Sequence, residues 1–279
     1  MTANNHYTIP LIKPDIPHTV VENFDPVCDY TPLLEQAIKE HVATDYVVAL
    51  NSATSAIHLG LKAIGVEEGD EILCPSLTYI ASVNPILYLN AVPVFVGISA
   101  SDWTICPLKL EEAIKDRIHH GRLPKALIVV HAYGTLASMD LISSICRKYE
   151  IKIIEDGAAA LGSGETPCLG KESDCAVISF NTNKIVTGYG GGVLVTNNEE
   201  IATKVRLFAT HARDTTYFYY HHEQIGYNYR ISQLTAAVVL QQLPMLKEKL
   251  RKKKEIYDFY LNNKKSLETH KKPHQESYI

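Results

Sequence analysis

The sequence predicts an α/β protein whose mostly parallel sheet lies between helices, and three observations carry that expectation. Short apolar runs alternate with longer amphipathic stretches along the chain. Residues 126–130, a helical pattern from about Met139 to Tyr149, and the apolar run 151–154 form a β-α-β unit. With 46% hydrophobic residues in 279, the chain has ample material for a large core.

The elements follow in order. Residues 46–50 read as a buried strand, and a helical pattern runs from about Ala53 to Ile64. Residues 71–74, 92–96 and 126–130 read as further short strands, and their alternation with helical stretches argues for a mostly parallel sheet covered by helices. After Asp174 the pattern changes to two close strands, 175–179 and 192–196, separated by a lysine-bearing, glycine-rich loop. Helical patterns then fill about Glu199 to Ala209 and Ser232 to Leu243, and Pro244 starts a long polar helix. The sequence thus divides into an N-terminal segment (1–44), a large domain (45–243) and a helical extension (244–279).

A net charge of −4 carries no signature of nucleic-acid binding, and the basic run 251–254 reads as a solvated helix face. Six cysteines without C-x-x-C spacing read as reduced, buried thiols of a cytoplasmic protein. Neither a leader nor a membrane span is expected, because no segment approaches the ~18 continuous apolar residues a span needs. His221 and His222 are adjacent and cannot share a helix face, and no H-E-x-x-H partner exists, so no metal site is expected. The glycines from Gly188 to Gly192 lead into a strand rather than a helix, which excludes a dinucleotide fingerprint and a P-loop.

In open α/β sheets ligands sit beyond the carboxyl ends of strands, and Asn51, Asp156 and Ser179 all lie at such ends. Asn51-Ser52-Ala53-Thr54 joins a strand to a helix whose free N–H groups, with the Thr54 hydroxyl, suit a phosphate dianion. Read alone, the same segment is equally an ordinary Ser/Thr N-cap. Asp156, if buried, needs a cationic partner, and a protonated pyridine nitrogen is one; a structural salt bridge is another. Lys184, past the next strand, offers an amine for an aldehyde. Together these are the needs of pyridoxal 5'-phosphate (PLP).

Six stretches in order carry a family resemblance: 51–59, 69–79, 124–134, 154–162, 179–184 and 225–230. Through them the chain resembles the DegT/DnrJ/EryC1/StrS family of PLP-dependent sugar aminotransferases, which have the aspartate aminotransferase-like, type I fold. The run Phe180-Asn-Thr-Asn-Lys184-Ile is most similar to the branch that aminates C4 of UDP-linked 4-keto-6-deoxy sugars for bacterial surface glycans. The resemblance implies that Lys184 is the Schiff-base lysine, Asp156 the pyridine-nitrogen partner and Tyr79 an aromatic stacked on the cofactor ring. It further implies a phosphate cradle of Thr54, the Ala53 amide and Ser179, completed by Asn228 of a neighbouring subunit in a homodimer with shared sites. A nucleotide sugar and an amino-acid donor, L-glutamate, are the implied partners.

This sequence departs from the family pattern in several places. Ala53 stands where glycine is usual, and its methyl is expected to crowd the approach of a phosphate. Ala159 replaces a polar residue near the cofactor's 3-hydroxyl, and the family's Trp-containing loop is reduced to Asn23–Val27. Family members continue into a small C-terminal domain that is expected to be largely absent here. The alternative expectation is therefore a catalytically inactive, truncated remnant that serves as a binding or dimerisation module.

Overall fold

The computed structural model describes residues 24–42, 44–164 and 169–262. Seven five-residue strands form one sheet: β1 Tyr46–Leu50, β2 Glu71–Pro75, β3 Val92–Val96, β4 Ala126–Val130, β5 Lys152–Asp156, β6 Cys175–Ser179 and β7 Gly192–Thr196. Their order is β1-β7-β6-β5-β4-β2-β3. All neighbours are parallel except those of β7, which runs antiparallel to both β1 and β6. The amino end of β7 therefore lies beside the carboxyl ends of its neighbours. Strand β5 is shifted from the expected 151–154, because Glu155 and Asp156 both remain in the ladder opposite β4 and β6.

Among the described residues eight α-helices accompany the sheet: α1 Tyr30–Lys39, α2 Ala53–Ala63, α3 Asn84–Tyr88, α4 Pro107–His119, α5 Met139–Lys148, α6 Glu199–Ala209, α7 Gln233–Gln242 and α8 Leu246–Asn262. Local chemistry sets their starts. Ser52, Asn198 and Ser232 cap α2, α6 and α7 by accepting N–H bonds of the first turn, and Pro107 occupies the first turn of α4. A 3-10 turn, Leu243–Met245, precedes α8, so the long helix begins at Leu246 rather than at Pro244.

Strand periodicity divides the core between the two faces. Val48 and Leu50 of β1 pack with α2 and α6 residues such as Ile57 and Val205, whereas Val47 and Ala49 pack with α1 and α7 residues such as Leu34 and Val239. A third cluster, built from Leu127, Val129 and Ile153 with Leu110, Ile114 and Ile142, seats α4 and α5. Cys74, Cys146 and Cys175 are buried and free as expected, and burial raises the first two thiols to about 12 and the third higher still. Cys28 and Cys106 are only half-buried, because each sits outside the strands, and Cys168 lies outside the described residues. Among the described residues no helix is long and apolar enough to cross a membrane.

Candidate active site

The carboxyl ends of β1, β5 and β6 meet at one rim, and Gly192 is its pivot. It pairs with Leu50 on one side and Ser179 on the other. A Cβ on Gly192 would stand 2.5 Å from the Ala53 amide nitrogen and 2.8 Å from the Ile178 carbonyl oxygen. Only glycine lets the strand pass so close beneath the start of α2. Ser179 and the Ala53-Thr54 turn are thereby brought to the same spot.

That turn opens α2. Ser52 Oγ accepts the Ser55 N–H at 3.1 Å, and the Ser52 carbonyl accepts the Ala56 N–H at 3.1 Å. The Ala53 and Thr54 N–H groups lie in the first turn of α2, at its positive end, where an anion is favoured. Ser52 serves as the N-cap of that helix. Ala53 is buried in the core cluster of α2 and α6.

Glu155 and Asp156 part company because successive strand residues face opposite sides. Glu155 is fully enclosed by His131 Nε2 at 2.9 Å, the Gly170 N–H at 3.1 Å and the Ser173 hydroxyl. The Ala137 N–H donates to His131 Nδ1, so the ring carries its proton on Nε2 and donates it to Glu155. Glu155 is therefore the structural carboxylate. Asp156 is buried on the other side, where its Oδ1 accepts the Ala158 N–H at 3.0 Å and its Oδ2 accepts the Ser82 hydroxyl at 2.6 Å.

Lys184 lies in the loop between β6 and β7, its N–H donating to the Asn181 carbonyl at 2.9 Å. Burial holds its amine below the ordinary lysine range, and the Asp156 charge opposes that shift. Among the described residues the two form no direct ion pair, so the amine is near the carboxylate's field but not neutralised by it. The loop is anchored from beneath by Gln242 of α7, whose Nε2 donates to the Thr187 carbonyl and whose Oε1 accepts the Thr187 N–H. Tyr79 precedes the 3-10 turn Ile80–Ser82 and is 79% exposed, its ring free to cover a flat ligand.

Asn228 is exposed, and its backbone is fixed within its own chain: its carbonyl accepts Asn51 Nδ2 at 3.3 Å, while the Tyr229 carbonyl accepts the Asn51 N–H at 2.8 Å. The Asn51 side chain also accepts the Ser55 hydroxyl, so one residue ties α2 to the Asn228 segment. Ala159 is half-buried. Asn23 lies outside the described residues, and Asp25–Cys28 forms a turn closed by the Cys28 N–H on the Asp25 carbonyl. Sequence reading missed Ser82, Asn51 as a tie, and Gln242; each acts across 55 or more positions, and the only signal was a polar residue, Ser82 or Gln242, set among apolar neighbours in the sequence.

The residues fit PLP: the positive start of α2 with Thr54 and Ser179 for a dianion, a buried carboxylate for a cationic ring nitrogen, an exposed aromatic for a ring face and a depressed amine for an aldehyde.

The family model for the DegT/DnrJ/EryC1/StrS aminotransferase family matches residues 24–278. The chain is 42% identical to EpsN of Bacillus subtilis (strain 168) over 82% of its own length and 59% of that protein. It is 36% identical to the GDP-perosamine synthase of Caulobacter vibrioides over 81% of its length and 59% of the relative. The chain thus spans about three-fifths of the curated relatives it matches. The crystal structure of a DegT DnrJ EryC1 StrS aminotransferase from Brucella abortus superposes with a TM-score of 0.84 at 28% identity, covering 93% of this chain and 70% of the other. The seven-stranded sheet with its helices is that of the type I fold of PLP-dependent transferases. By sequence and by fold, the chain belongs to the DegT/DnrJ/EryC1/StrS aminotransferase family.

Proposed function

We propose that the chain is the cofactor-binding part of a PLP-dependent aminotransferase that transfers an amino group, from L-glutamate, to a nucleotide-linked 4-keto-6-deoxy sugar in the cytoplasm, for bacterial surface glycans. The observation that carries the reading is the Lys184 amine, held below its ordinary pKa by burial and facing the buried Asp156 at the rim where α2 opens. The names of related proteins support the sugar class: one is a GDP-perosamine synthase, and another, from Campylobacter jejuni, a UDP-4-amino-4,6-dideoxy-N-acetyl-beta-L-altrosamine transaminase.

When bound, PLP supplies an electron sink that lets the bond between the α-carbon and its proton break. The protein supplies the rest. Lys184, less protonated than a surface lysine, would hold the aldehyde carbon and, as a free amine, would carry the proton at Nζ. Asp156, its two oxygens fixed by Ser82 and the Ala158 N–H, would hold a protonated ring nitrogen by charge. Ala53, Thr54 and Ser179 would hold the phosphate, and Tyr79 would cover the ring face. Asn228 of a second copy completes the phosphate site in a homodimer, and the exposure of its side chain beside a fixed backbone suits that reach.

The test is direct. The purified chain mixed with PLP should develop visible absorbance, borohydride should fix the label on Lys184, and Lys184→Ala should take none. L-Glutamate should then bleach the band. Label spread over surface lysines, or unchanged in Lys184→Ala, defeats the reading.

A further inference from the structure

The two oxygens of Asp156 are held by different parts of the chain. Oδ1 is served locally, by the N–H of Ala158 two residues on. Oδ2 is served by Ser82, 74 positions earlier, at 2.6 Å. A carboxylate only accepts, so the Ser82 hydroxyl spends its one proton on Asp156 and must itself accept. The Thr78 hydroxyl, 2.7 Å from Ser82 Oγ, is the group placed to donate, since its other acceptor, the Tyr79 carbonyl, is 3.4 Å away. The order is Thr78 to Ser82 to Asp156.

Tyr79 sits inside this relay. Its carbonyl accepts the Ser82 N–H at 3.0 Å and closes the 3-10 turn, which places Thr78 and Ser82 on one turn. Ser82 is 1% exposed. A buried hydroxyl without a partner costs stability, and a buried turn needing only volume would be filled as well by alanine. The hydroxyl therefore has work that its volume does not explain.

We propose that Ser82 is a positioning residue: through its hydroxyl it fixes the plane of the Asp156 carboxylate that meets the cofactor ring. The proposal rests on the reading of the site as a PLP site. Ser82 touches neither cofactor nor substrate in this role; it acts through Asp156.

The test compares Ser82→Ala, Ser82→Thr and Thr78→Val with the wild-type chain in PLP titrations. Absorbance gives the affinity, and circular dichroism in the visible cofactor band gives the fixed orientation of the ring. Ser82→Ala should weaken PLP binding roughly tenfold, the scale of one lost hydrogen bond to a charged group. It should also flatten the dichroic band. Ser82→Thr, which keeps the hydroxyl, should restore both, and Thr78→Val, which removes only the donor to Ser82, should fall between. Should Ser82→Ala fail to fold, Thr78→Val decides: a weakened, flattened band supports the relay and a wild-type band overturns it. Unchanged affinity and band shape in Ser82→Ala, or equal losses in Ser82→Ala and Ser82→Thr, overturn the proposal while the PLP reading stands. A wild-type chain that places no PLP on Lys184 overturns both.

Discussion

Gly192 and Ala53 approach so closely that a Cβ on the glycine would lie 2.5 Å from the alanine's amide nitrogen. Strand β7 and the first turn of α2 are separated by backbone alone, and the first-turn N–H groups proposed to hold the phosphate owe their place to that contact. Gly192→Ala should therefore push α2 outward, lowering stability by about 1–3 kcal/mol and weakening PLP binding by more than that loss alone explains. Denaturant unfolding and PLP titration of the same sample separate the two effects.

Asp156 and Lys184 should respond to one substitution with opposite signs. The Asp156 charge raises the Lys184 pKa against the larger effect of burial. In Asp156→Asn that support is gone, the amine is less protonated at neutral pH, and Lys184 of the cofactor-free chain should react faster with an acylating reagent. PLP binding should weaken in the same variant, because the ring nitrogen loses its anionic partner. Peptide mapping of the acylated lysine, beside a PLP titration, checks both; slower acylation would show that the carboxylate does not act on the amine.

His58 gives the fold a pH dependence of known sign. It is 2% exposed among Tyr88, Tyr227 and Tyr229, its Nε2 has no hydrogen-bond partner, and burial, aided by Lys62, lowers its pKa from 6.5 to about 4. Between these values the unfolded chain binds the proton and the folded chain does not, so stability present above pH 6.5 is lost as pH falls toward 4. The loss is on the order of 3 kcal/mol at 1.36 kcal/mol per pKa unit. His58→Phe should flatten that part of the stability profile measured by denaturant unfolding between pH 4 and 7. An unchanged slope would assign the acid sensitivity to other groups.

Asn51 joins the start of α2 to the Asn228 segment through its Oδ1 and Nδ2. If Asn228 completes a neighbour's phosphate site, the chain should be dimeric by light scattering, and Asn228→Ala should weaken PLP binding several-fold without changing the mass. Asn51→Ala, which frees the segment, should lower the affinity in the same direction. A monomer that binds PLP with wild-type affinity in both variants would remove the shared-site reading.

The strands and most helices were legible because each is a local pattern. Five-residue apolar runs fit the strands, all but the edge strand β3 largely buried, and Ser52, Asn198 and Ser232 announce the helices they cap. Helix α4 has a local signal too, Pro107 followed by Leu110 and Ile114 on one face, but its strongly polar remainder masks it. The short α3 is too brief to show a period.

By itself the sequence determined the family, the lysine loop and the strand-end acid, since each depends on residue type at a strand end. Tertiary structure alone supplied the partners that set Glu155 and Asp156 apart, because a strand sends neighbours to opposite sides, with His131 on one and Ser82 on the other. It also decided that Gly192 passes beneath the start of α2. Hydrogen bonds between residues 74 or 177 positions apart leave no periodic trace, and burial that lowers the Lys184 pKa is a property of everything packed around it.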